Sequence, residues 1–301
     1  MTESVKNIFE LNIRLLGDMD KAAYYFREQQ YDKALGLIAD SIDQIKFVIE
    51  AIISNREYFK LVDSESMLEM LKGILTAKQN GDFVLLADLL ELQLINFLIS
   101  VQELIISKEE IAFDEGNYKE NIELLAERHI GFAEVFREPI NTEELLKSGY
   151  RVEFTSCGQM TLAAENAGAK FYFHTNSRIK AEAFLLARNW YKENKKRYIL
   201  YGFGMGYHVF EFLSMAKEVE IEIYEADKNV LQLACAFTAM KELLLDNHIK
   251  LIYDPDFELL KERMNKLTEE EELIVHYPSY KNIRSSEGKA LLQTSAHAFW
   301  A

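Results

Sequence analysis

The sequence is poor in residues that interrupt secondary structure and in residues that cross-link a chain. It has only 3 prolines and 13 glycines among 301 residues, and this scarcity favours long helices. Its 2 cysteines, Cys157 and Cys235, are too few for a disulfide framework or a structural zinc site. Because a reducing compartment suits such a chain, the composition predicts a cytoplasmic protein.

Long apolar segments without charge are missing as well. The first ten residues hold two acidic residues and one lysine and have no apolar core, so we expect no signal peptide. The most apolar stretch, Phe83 to Ile106, is interrupted by Asp88, Glu91 and Glu103, whose charges would be costly in lipid. We therefore expect a buried helix of a bundle there, and no membrane partner.

Negative charge is concentrated in the first half of the chain. The net charge is −15, and residues 1–150 hold 15 basic and 28 acidic residues, whereas residues 151–301 hold 19 and 21. An acidic surface repels a nucleic-acid backbone, so we predict no nucleic-acid partner. The nearly neutral second half can accept an anionic small ligand. The acids of the first half are equally explained as solvated helix faces.

Apolar residues at helical spacing fill the first part of the chain. Four such runs are separated by short polar breaks near residues 29–30, 63–64 and 80–82, a pattern typical of antiparallel helices. We predict an all-α helical bundle over residues 1–112 and a helical connector over residues 113–149, broken near Pro139. The bundle shows no catalytic pattern, so we predict an interaction module, such as a homodimer contact. The alternative is that all of its apolar surface is internal.

Strands and helices alternate over residues 150–301. This alternation predicts an α/β fold with a mostly parallel sheet and right-handed crossovers. The predicted strands are 150–154, 169–174, 198–201, 220–224, 249–253 and 273–276, and the predicted helices are 179–193, 207–217, 229–245 and 257–267.

The most informative motif is a strand that runs into three glycines at alternate positions and then into a helix. Glycine is needed where φ is positive and where backbone approaches a ligand, and the helix N-terminus presents free N–H groups. An acid at the tip of the next strand is placed to accept hydrogen bonds from ribose hydroxyls, and we expect it to lie outside the core. We therefore predict a Rossmann-like, nucleotide-binding domain over residues 150–301 whose site includes Gly202, Phe203, Gly204, Met205, Gly206, Tyr207, Glu225 and Asp227.

The spacing of the glycines bears on the ligand. It is Gly-x-Gly-x-Gly, and Tyr207 stands where the dinucleotide fingerprint has its last glycine. This spacing favours S-adenosylmethionine over NAD. Against a methyltransferase, Leu200 stands where the strand before the loop usually carries an acid. A third interpretation is that the glycines only permit close strand–helix packing in a domain without a ligand.

Further polar residues lie near the same predicted edge of the sheet. His174 ends the strand predicted over 169–174 and Ser177 follows it, and ligands bind beyond such carboxyl ends, so we include both in the candidate site. An equally supported alternative is that Ser177 caps the next helix. His208 follows the glycine loop and is interpreted as a surface histidine. The spacing of the 6 histidines and 2 cysteines predicts no metal site. No catalytic residue is assigned.

Four of these segments resemble a known family. The segments Tyr201–His208 and Ile223–Asp227 resemble the first Rossmann-like domain of the motility-associated factor (Maf) family of flagellin glycosyltransferases. Phe173–Ser177, followed by Glu182-Ala183, resembles that family's His-Ser segment and Glu-Ala pair. His276–Tyr280 resembles its strand ending in His-Pro. The resemblance covers about residues 150–290.

The resemblance implies a bacterial protein that binds a nucleotide or nucleotide-sugar. Maf members are similar to sialyltransferases in using sugars linked to cytidine monophosphate (CMP), and they attach nonulosonic acids to flagellin. A second domain carries their transferase site, and Ala301 lies where it would begin, so the resemblance leaves open whether this chain is an enzyme. It makes flagellin, or another protein bound through the helical domain, a candidate partner.

Three functions from different classes therefore remain open. The first is a Maf-related protein that binds a nucleotide-sugar in protein glycosylation. The second is a methyltransferase that holds S-adenosylmethionine through the glycine loop and Glu225. The third is a non-enzymatic interaction protein with a degenerate Rossmann domain.

Overall fold

The computed structural model describes residues 2–108, 114–136, 147–166, 168–283 and 285–299. The chain divides into two compact units. Unit 1 comprises Met1–Ile111, Phe154–Gln159 and Asn176–Ala181; unit 2 comprises Ala112–Glu153, Met160–Thr175 and Glu182–Ala301. Unit 1 therefore includes two short segments that lie, in sequence, among the residues predicted for the α/β domain.

The first part of unit 1 is helical. Thr2, Asp63 and Asp82 accept hydrogen bonds from first-turn N–H groups and so cap three of its helices. Gly81 ends the helix that Asp63 caps, and it does so in the left-handed conformation at φ 65°. The polar breaks of the sequence are therefore helix boundaries. The elements are α1 (Glu3–Arg27), α2 (Tyr31–Ser54), α3 (Ser64–Asn80), α4 (Phe83–Leu89), a π-helix (Leu90–Leu94) and α5 (Ile95–Ile106).

A buried polar pair lies within the apolar core of unit 1. Asn12 on α1 donates from Nδ2 to the carbonyl of Leu98 at 2.7 Å and to Oε1 of Gln102 at 3.0 Å. Gln102 in turn donates from Nε2 to the carbonyl of Phe9 at 3.1 Å. Both side chains are completely buried. Because the alignment of these amides fixes how α1 lies against α5, they specify the register of the two helices.

The α4–π–α5 segment is strongly apolar. Among the described residues, Phe83–Ile106 is the one helix long and apolar enough to cross a membrane, judged by length and composition only. Its buried side chains include Leu86, Leu90, Leu94 and Leu98, which belong to the core of unit 1. The sequence predicted a buried helix here; 39% of its most apolar window is buried, so the helix contributes to the core and is also partly exposed.

Unit 2 contains most of the remaining elements. They are α6 (Glu115–Arg128), α7 (Phe132–Val135), β1 (Tyr150–Phe154), β2 (Met160–Asn166), β3 (Ala169–Tyr172), α8 (Ile179–Trp190), β4 (Arg197–Tyr201), α9 (Tyr207–Met215), β5 (Glu220–Glu225), α10 (Lys228–Phe237), α11 (Lys241–Leu245), β6 (Ile249–Tyr253), α12 (Glu258–Met264), β7 (Glu271–Val275), α13 (Tyr277–Lys281) and α14 (Ser286–Phe299).

The strands β4 to β7 form a parallel sheet in the order β6-β5-β4-β7. Leu200 of β4 pairs with Ile223 on one side and with Ile274 on the other. The side chains of Tyr198–Tyr201 are all buried, as expected for a parallel strand covered on both faces. The chain runs outward from β4 to β6 and then returns past β4 to β7. The strand order therefore reverses between β4 and β7, which is where ligands bind in open α/β sheets.

Two predictions differ from the fold. The strands β1, β2 and β3 do not join the parallel sheet but form a separate three-stranded sheet, in which β2 and β3 are antiparallel. The sequence analysis missed β2, which turns into β3 around Gly168 at φ 78°. The single helix predicted over 229–245 is two helices, because Thr238 is extended at φ −126° and ends α10.

The predicted connector is described only in part. It contains α6 and α7, and Ile130 between them makes an isolated parallel bridge with Ile252 of β6. The connector thus extends the edge of the parallel sheet. The predicted break at Pro139 lies outside the described residues.

Candidate functional site at the carboxyl edge of the parallel sheet

The glycine loop, residues 202–206, follows β4. Gly202, Gly204 and Gly206 have φ values of 94°, 54° and 78°, which glycine adopts without strain. A Cβ on Gly202 would lie 2.4 Å from Cβ of Ser279, and one on Gly204 would lie 2.9 Å from Nε2 of His174. The glycines are therefore required both for the turn and for the close approach of other groups. The groups that approach them are protein side chains.

The backbone N–H groups of this loop are used within unit 2. Phe203 donates to Oε2 of Glu225 at 2.9 Å, and Met205 donates to Nε2 of His174 at 3.1 Å. Gly206 donates to the carbonyl of Phe203 at 2.9 Å. The sequence predicted that this loop contacts a ligand. In the structure, these three N–H groups bind protein acceptors and the loop is buried.

Glu225, the last residue of β5, is part of the core. It is only 3% exposed, so the expectation that this acid lies outside the core is wrong. Oε2 accepts from Phe203, and Oε1 accepts from the N–H groups of Ala226 at 2.9 Å and Asp227 at 3.0 Å. Burial raises the pKa of Glu225 to about 7, although the three N–H donors oppose this rise. The carboxyl group ties the end of β5 to the glycine loop.

Three buried histidines pack beside the loop. This histidine cluster consists of His174, His208 and His276, which are at most 1% exposed. The rings of His208 and His276 are stacked, with centroids 4.2 Å apart and planes at 8°, and the His174 ring lies 4.9 Å from that of His276. The interpretation of His208 as a surface residue is wrong, because the first turn of α9 faces inward. Its Nε2 lies 3.2 Å from the carbonyl of Gly202, to which it donates as Nε2–H.

Burial keeps the histidine cluster neutral. It lowers the pKa of His208 to about 3 and the pKa values of His174 and His276 well below the usual value. Each ring has one nitrogen that binds protein. His174 accepts from Met205, His208 donates to Gly202, and Nδ1 of His276 lies 2.7 Å from Oγ of Ser279. Because the rings are uncharged, the three imidazoles can pack closely in the interior.

The cluster brings together metal-ligating groups that linear spacing did not indicate. Ligand nitrogens of the three rings lie within 4.8 Å of one another. A zinc ion would need nitrogens about 2.0–2.1 Å away, on lone pairs that converge. Each ring keeps one buried nitrogen without a hydrogen-bond partner among the described residues, but the nearly parallel rings of His208 and His276 direct their in-plane lone pairs side by side and not toward one point. We therefore interpret the cluster as packing that supports the glycine loop.

A cavity of about 300 Å³ opens at the carboxyl ends of β4, β5 and β6. We call it the strand-edge cavity. Its aromatic walls are Tyr150, Phe173, Tyr201, Tyr253 and Phe257, and its charged and polar groups include Glu225, Asp227, Lys228, Ser279 and Asn282.

The polar groups of the strand-edge cavity differ in how they are held. Asp227 caps α10 by accepting from the N–H of Asn229 at 2.8 Å, and its other oxygen accepts from the hydroxyl of Tyr150. Lys228 is exposed at the rim. Asn282 donates from Nδ2 to the carbonyl of Pro278, whereas its buried Oδ1 has no hydrogen-bond partner among the described residues. That oxygen is available to accept a hydrogen bond, and a buried polar group without a partner is costly.

The predicted site residues lie in different parts of the structure. Glu225 and Asp227 line the strand-edge cavity, whereas residues 202–206 and His174 form the buried layer beside it. Tyr207 donates its hydroxyl to the carbonyl of Met160 at 2.9 Å. Ser177 is an exposed residue of unit 1. The structure does not bring these ten residues together in one ligand site.

Sequence reasoning missed several residues of the cavity. Tyr253 ends the predicted strand 249–253, so the rule that ligands bind beyond carboxyl ends would have found it. Ser279 and Asn282 come from α13 and the turn after it, where the sequence showed only the segment His276–Tyr280. Phe257 precedes α12 at φ 61°, an unusual conformation for a non-glycine residue that composition does not reveal.

Comparison with known protein families gives a match within unit 1. Residues 3–104 match a family described as a domain of unknown function (DUF8042). This match covers about a third of the chain and none of the strand-edge cavity. No curated protein matches the chain.

Proposed function

We propose that unit 2 is a Rossmann-like domain that binds a nucleoside-type small molecule in the strand-edge cavity. The order β6-β5-β4-β7 supports the fold assignment, because it corresponds to the first four strands, 3-2-1-4, of the Rossmann order 3-2-1-4-5-6. The cavity lies where such domains bind their ligands, at the carboxyl ends of parallel strands.

The observation that carries the proposal is the pairing of aromatic walls with carboxylates in one cavity. Planar rings such as Tyr253 and Phe257 suit a nucleobase, and Glu225 and Asp227 suit the hydroxyls of a ribose. The volume of about 300 Å³ lies at the lower end of the range for ligand pockets, roughly 300–1,000 Å³. A single nucleoside suits this volume better than a dinucleotide.

The charged groups that line the cavity bear on which candidate ligand binds more tightly. Two carboxyl groups and one exposed lysine, Lys228, line the cavity, and the N–H groups of Phe203 and Met205 in the glycine loop donate to protein acceptors. This arrangement favours a neutral or cationic nucleoside, such as S-adenosylmethionine, over an anionic CMP-linked sugar. The CMP-linked sugar that the Maf resemblance implies is therefore the second ligand to test.

Calorimetric titration of the full chain tests the proposal. We expect adenosine or S-adenosylmethionine to bind and adenine, which lacks hydroxyls, to bind at least about tenfold more weakly, since a hydrogen bond to a charged group contributes about 1.5–3 kcal/mol. Ala226→Phe, which fills the cavity, should abolish binding without lowering the melting temperature of the free protein. Equal affinity for adenine and adenosine, or full binding by Ala226→Phe, would contradict the proposed site.

Lys228→Ala separates the two ligand classes. Removing this exposed charge should lower the affinity for a CMP-linked sugar by up to about fivefold. The affinity for S-adenosylmethionine should stay the same or rise slightly. Lys217→Ala is the matched control, because Lys217 is also exposed and does not line the cavity.

The second candidate is a non-enzymatic protein whose Rossmann-like domain has lost its ligand. The buried histidine cluster favours it, because the rings of His174 and His276 occupy the space next to Gly204. No heat of binding with adenosine, S-adenosylmethionine, CMP or a CMP-linked sugar would support this candidate and contradict the first.

A further inference from the structure

Unit 1 contains an apolar cleft between α2 and α3. The cleft has a volume of about 340 Å³. Its floor is Met19 of α1 with Leu90 and Leu94 of the π-helix. Its walls are Ile38, Ile42, Ile45 and Ile49 of α2 and Leu71, Ile74 and Leu75 of α3, and Lys46, Glu50 and Lys78 complete the lining. We call it the bundle cleft.

The π-helix at the floor is an independent sign of function. A π-turn is a rare interruption of an α-helix and is frequent at functional sites. Residues 90–94 contain neither proline nor glycine, so the local sequence does not impose it. The turn holds Leu90 and Leu94, both buried, at the base of the cleft. The fold thus keeps an unusual backbone where the cleft is deepest.

The mouth of the bundle cleft has a distinctive charge. Ile42 and Leu75 are 44% and 52% exposed, so the apolar lining continues to the surface. Two lysines, Lys46 of α2 and Lys78 of α3, flank this lining from opposite walls, with one acid, Glu50. Glu50 lies 3.8 Å from Lys46, and both side chains are more than 60% exposed, so this pair is weak. The mouth therefore carries a net positive charge on an otherwise acidic half of the chain.

We propose that the bundle cleft binds a single-chain amphiphile with an anionic head, of the fatty-acid type. The chain lies on Ile45, Ile74 and Leu90, and the head lies between Lys46 and Lys78. An apolar interior suits a hydrocarbon chain, since such a space stays dry and gains free energy when filled. The basic mouth selects a carboxylate over a neutral or cationic head.

A chain-length series on the full protein tests this site. Octanoate, decanoate and dodecanoate are titrated by calorimetry below their micellar concentrations. Each added methylene should raise the affinity about fourfold, because burying one contributes about 0.8 kcal/mol. Dodecanol and dodecyltrimethylammonium should bind at least fivefold more weakly than dodecanoate. Affinity independent of chain length, or equal affinity for the three heads, would overturn the proposal.

Variants at the mouth of the bundle cleft test whether dodecanoate binds there. Lys46→Glu with Lys78→Glu should weaken dodecanoate at least tenfold, whereas Lys72→Glu, an exposed charge of α3 outside the cleft, should leave it unchanged. Leu75→Trp, which covers the mouth, should reduce binding without altering the melting temperature. If dodecanoate fails to bind and sedimentation instead shows a dimer that Leu75→Glu dissociates, the occupant is a second copy of the chain and the proposal is wrong.

Discussion

The carboxylate of Glu225 accepts a hydrogen bond from the backbone N–H of Phe203 at 2.9 Å, across the ends of two neighbouring strands. The sequence predicted both residues as contacts of a ligand. In the structure they contact each other, and Glu225 also faces the strand-edge cavity. One carboxyl group therefore stabilises the glycine loop and borders the candidate site.

Glu225→Gln should lower stability. If the amide oxygen of the glutamine takes the place of Oε1, its amide nitrogen takes the place of Oε2. The buried N–H of Phe203 then lies against another donor and loses its acceptor. We expect the free energy of unfolding to fall by about 1–3 kcal/mol at pH 5, measured by urea denaturation. Glu287→Gln, at the start of an outer helix, is a control expected to change stability by less than about 0.5 kcal/mol. Equal stability of the two variants would show that the hydrogen bonds of Glu225 contribute nothing.

The difference between wild type and Glu225→Gln should depend on pH. The pKa of Glu225 is raised to about 7 in the folded state, so its contribution is fully present below the unfolded value, near 4.5, and is lost as pH rises through 7. The wild type should lose about 1 kcal/mol per pH unit relative to the variant between pH 5 and 7. A constant difference over this interval would contradict the raised pKa.

Substituting Gly202 should cost more than substituting another glycine of positive φ. Gly202→Ala places a Cβ 2.4 Å from Cβ of Ser279, whereas Gly168, at φ 78°, has nothing within 4 Å of such a Cβ. Gly168→Ala therefore reports backbone strain alone, about 1–2 kcal/mol. We expect Gly202→Ala to cost at least about 2 kcal/mol more, because overpacking adds to the strain. Thermal unfolding of both variants measures the difference, and equal losses would show that Ser279 moves aside freely.

Acid should destabilise unit 2 through the histidine cluster. A histidine whose pKa is lowered on folding takes up protons only in the unfolded state, so its contribution is lost as pH falls below about 6.5. His208→Phe removes one such group while keeping a flat ring. We expect the slope of unfolding free energy against pH to decrease by about 1.4 kcal/mol per pH unit between pH 6 and 4. A slope equal to that of the wild type would contradict the lowered pKa of His208.

The buried amide pair of unit 1 should be sensitive to truncation. Asn12→Ala removes the donor to Leu98 and to Gln102 and leaves two buried acceptors without it. We expect a loss of about 2–4 kcal/mol in the free energy of unfolding. Asn96→Ala is the control, because Asn96 is exposed and bonds only to the carbonyl of Leu92 four residues earlier. Similar losses in the two variants would show that the buried network adds nothing.

The sequence by itself determined the order and type of most elements. Hydrophobic spacing located α1 to α5, and glycine and aspartate at their ends fixed the boundaries, because capping and periodicity act within a few residues of the chain. The alternation over residues 150–301 predicted a mostly parallel sheet; four of the six predicted strands form one, whereas those at 150–154 and 169–174 belong to a separate sheet. The glycines at 202, 204 and 206 marked positions of positive φ, because glycine is the residue that adopts such values without strain.

Only the tertiary structure determined which residues distant in sequence contact each other. His174, His208 and His276 are far apart in sequence, and the order of the strands brings their rings together. The same order makes Glu225 a buried partner of Phe203 and gathers Tyr253, Ser279 and Asn282 around a cavity. Periodicity shows which side of a strand or helix is apolar. Which distant residues share an edge of a sheet depends on strand pairing, which is set by the free energy of packing the whole unit and not by any local pattern.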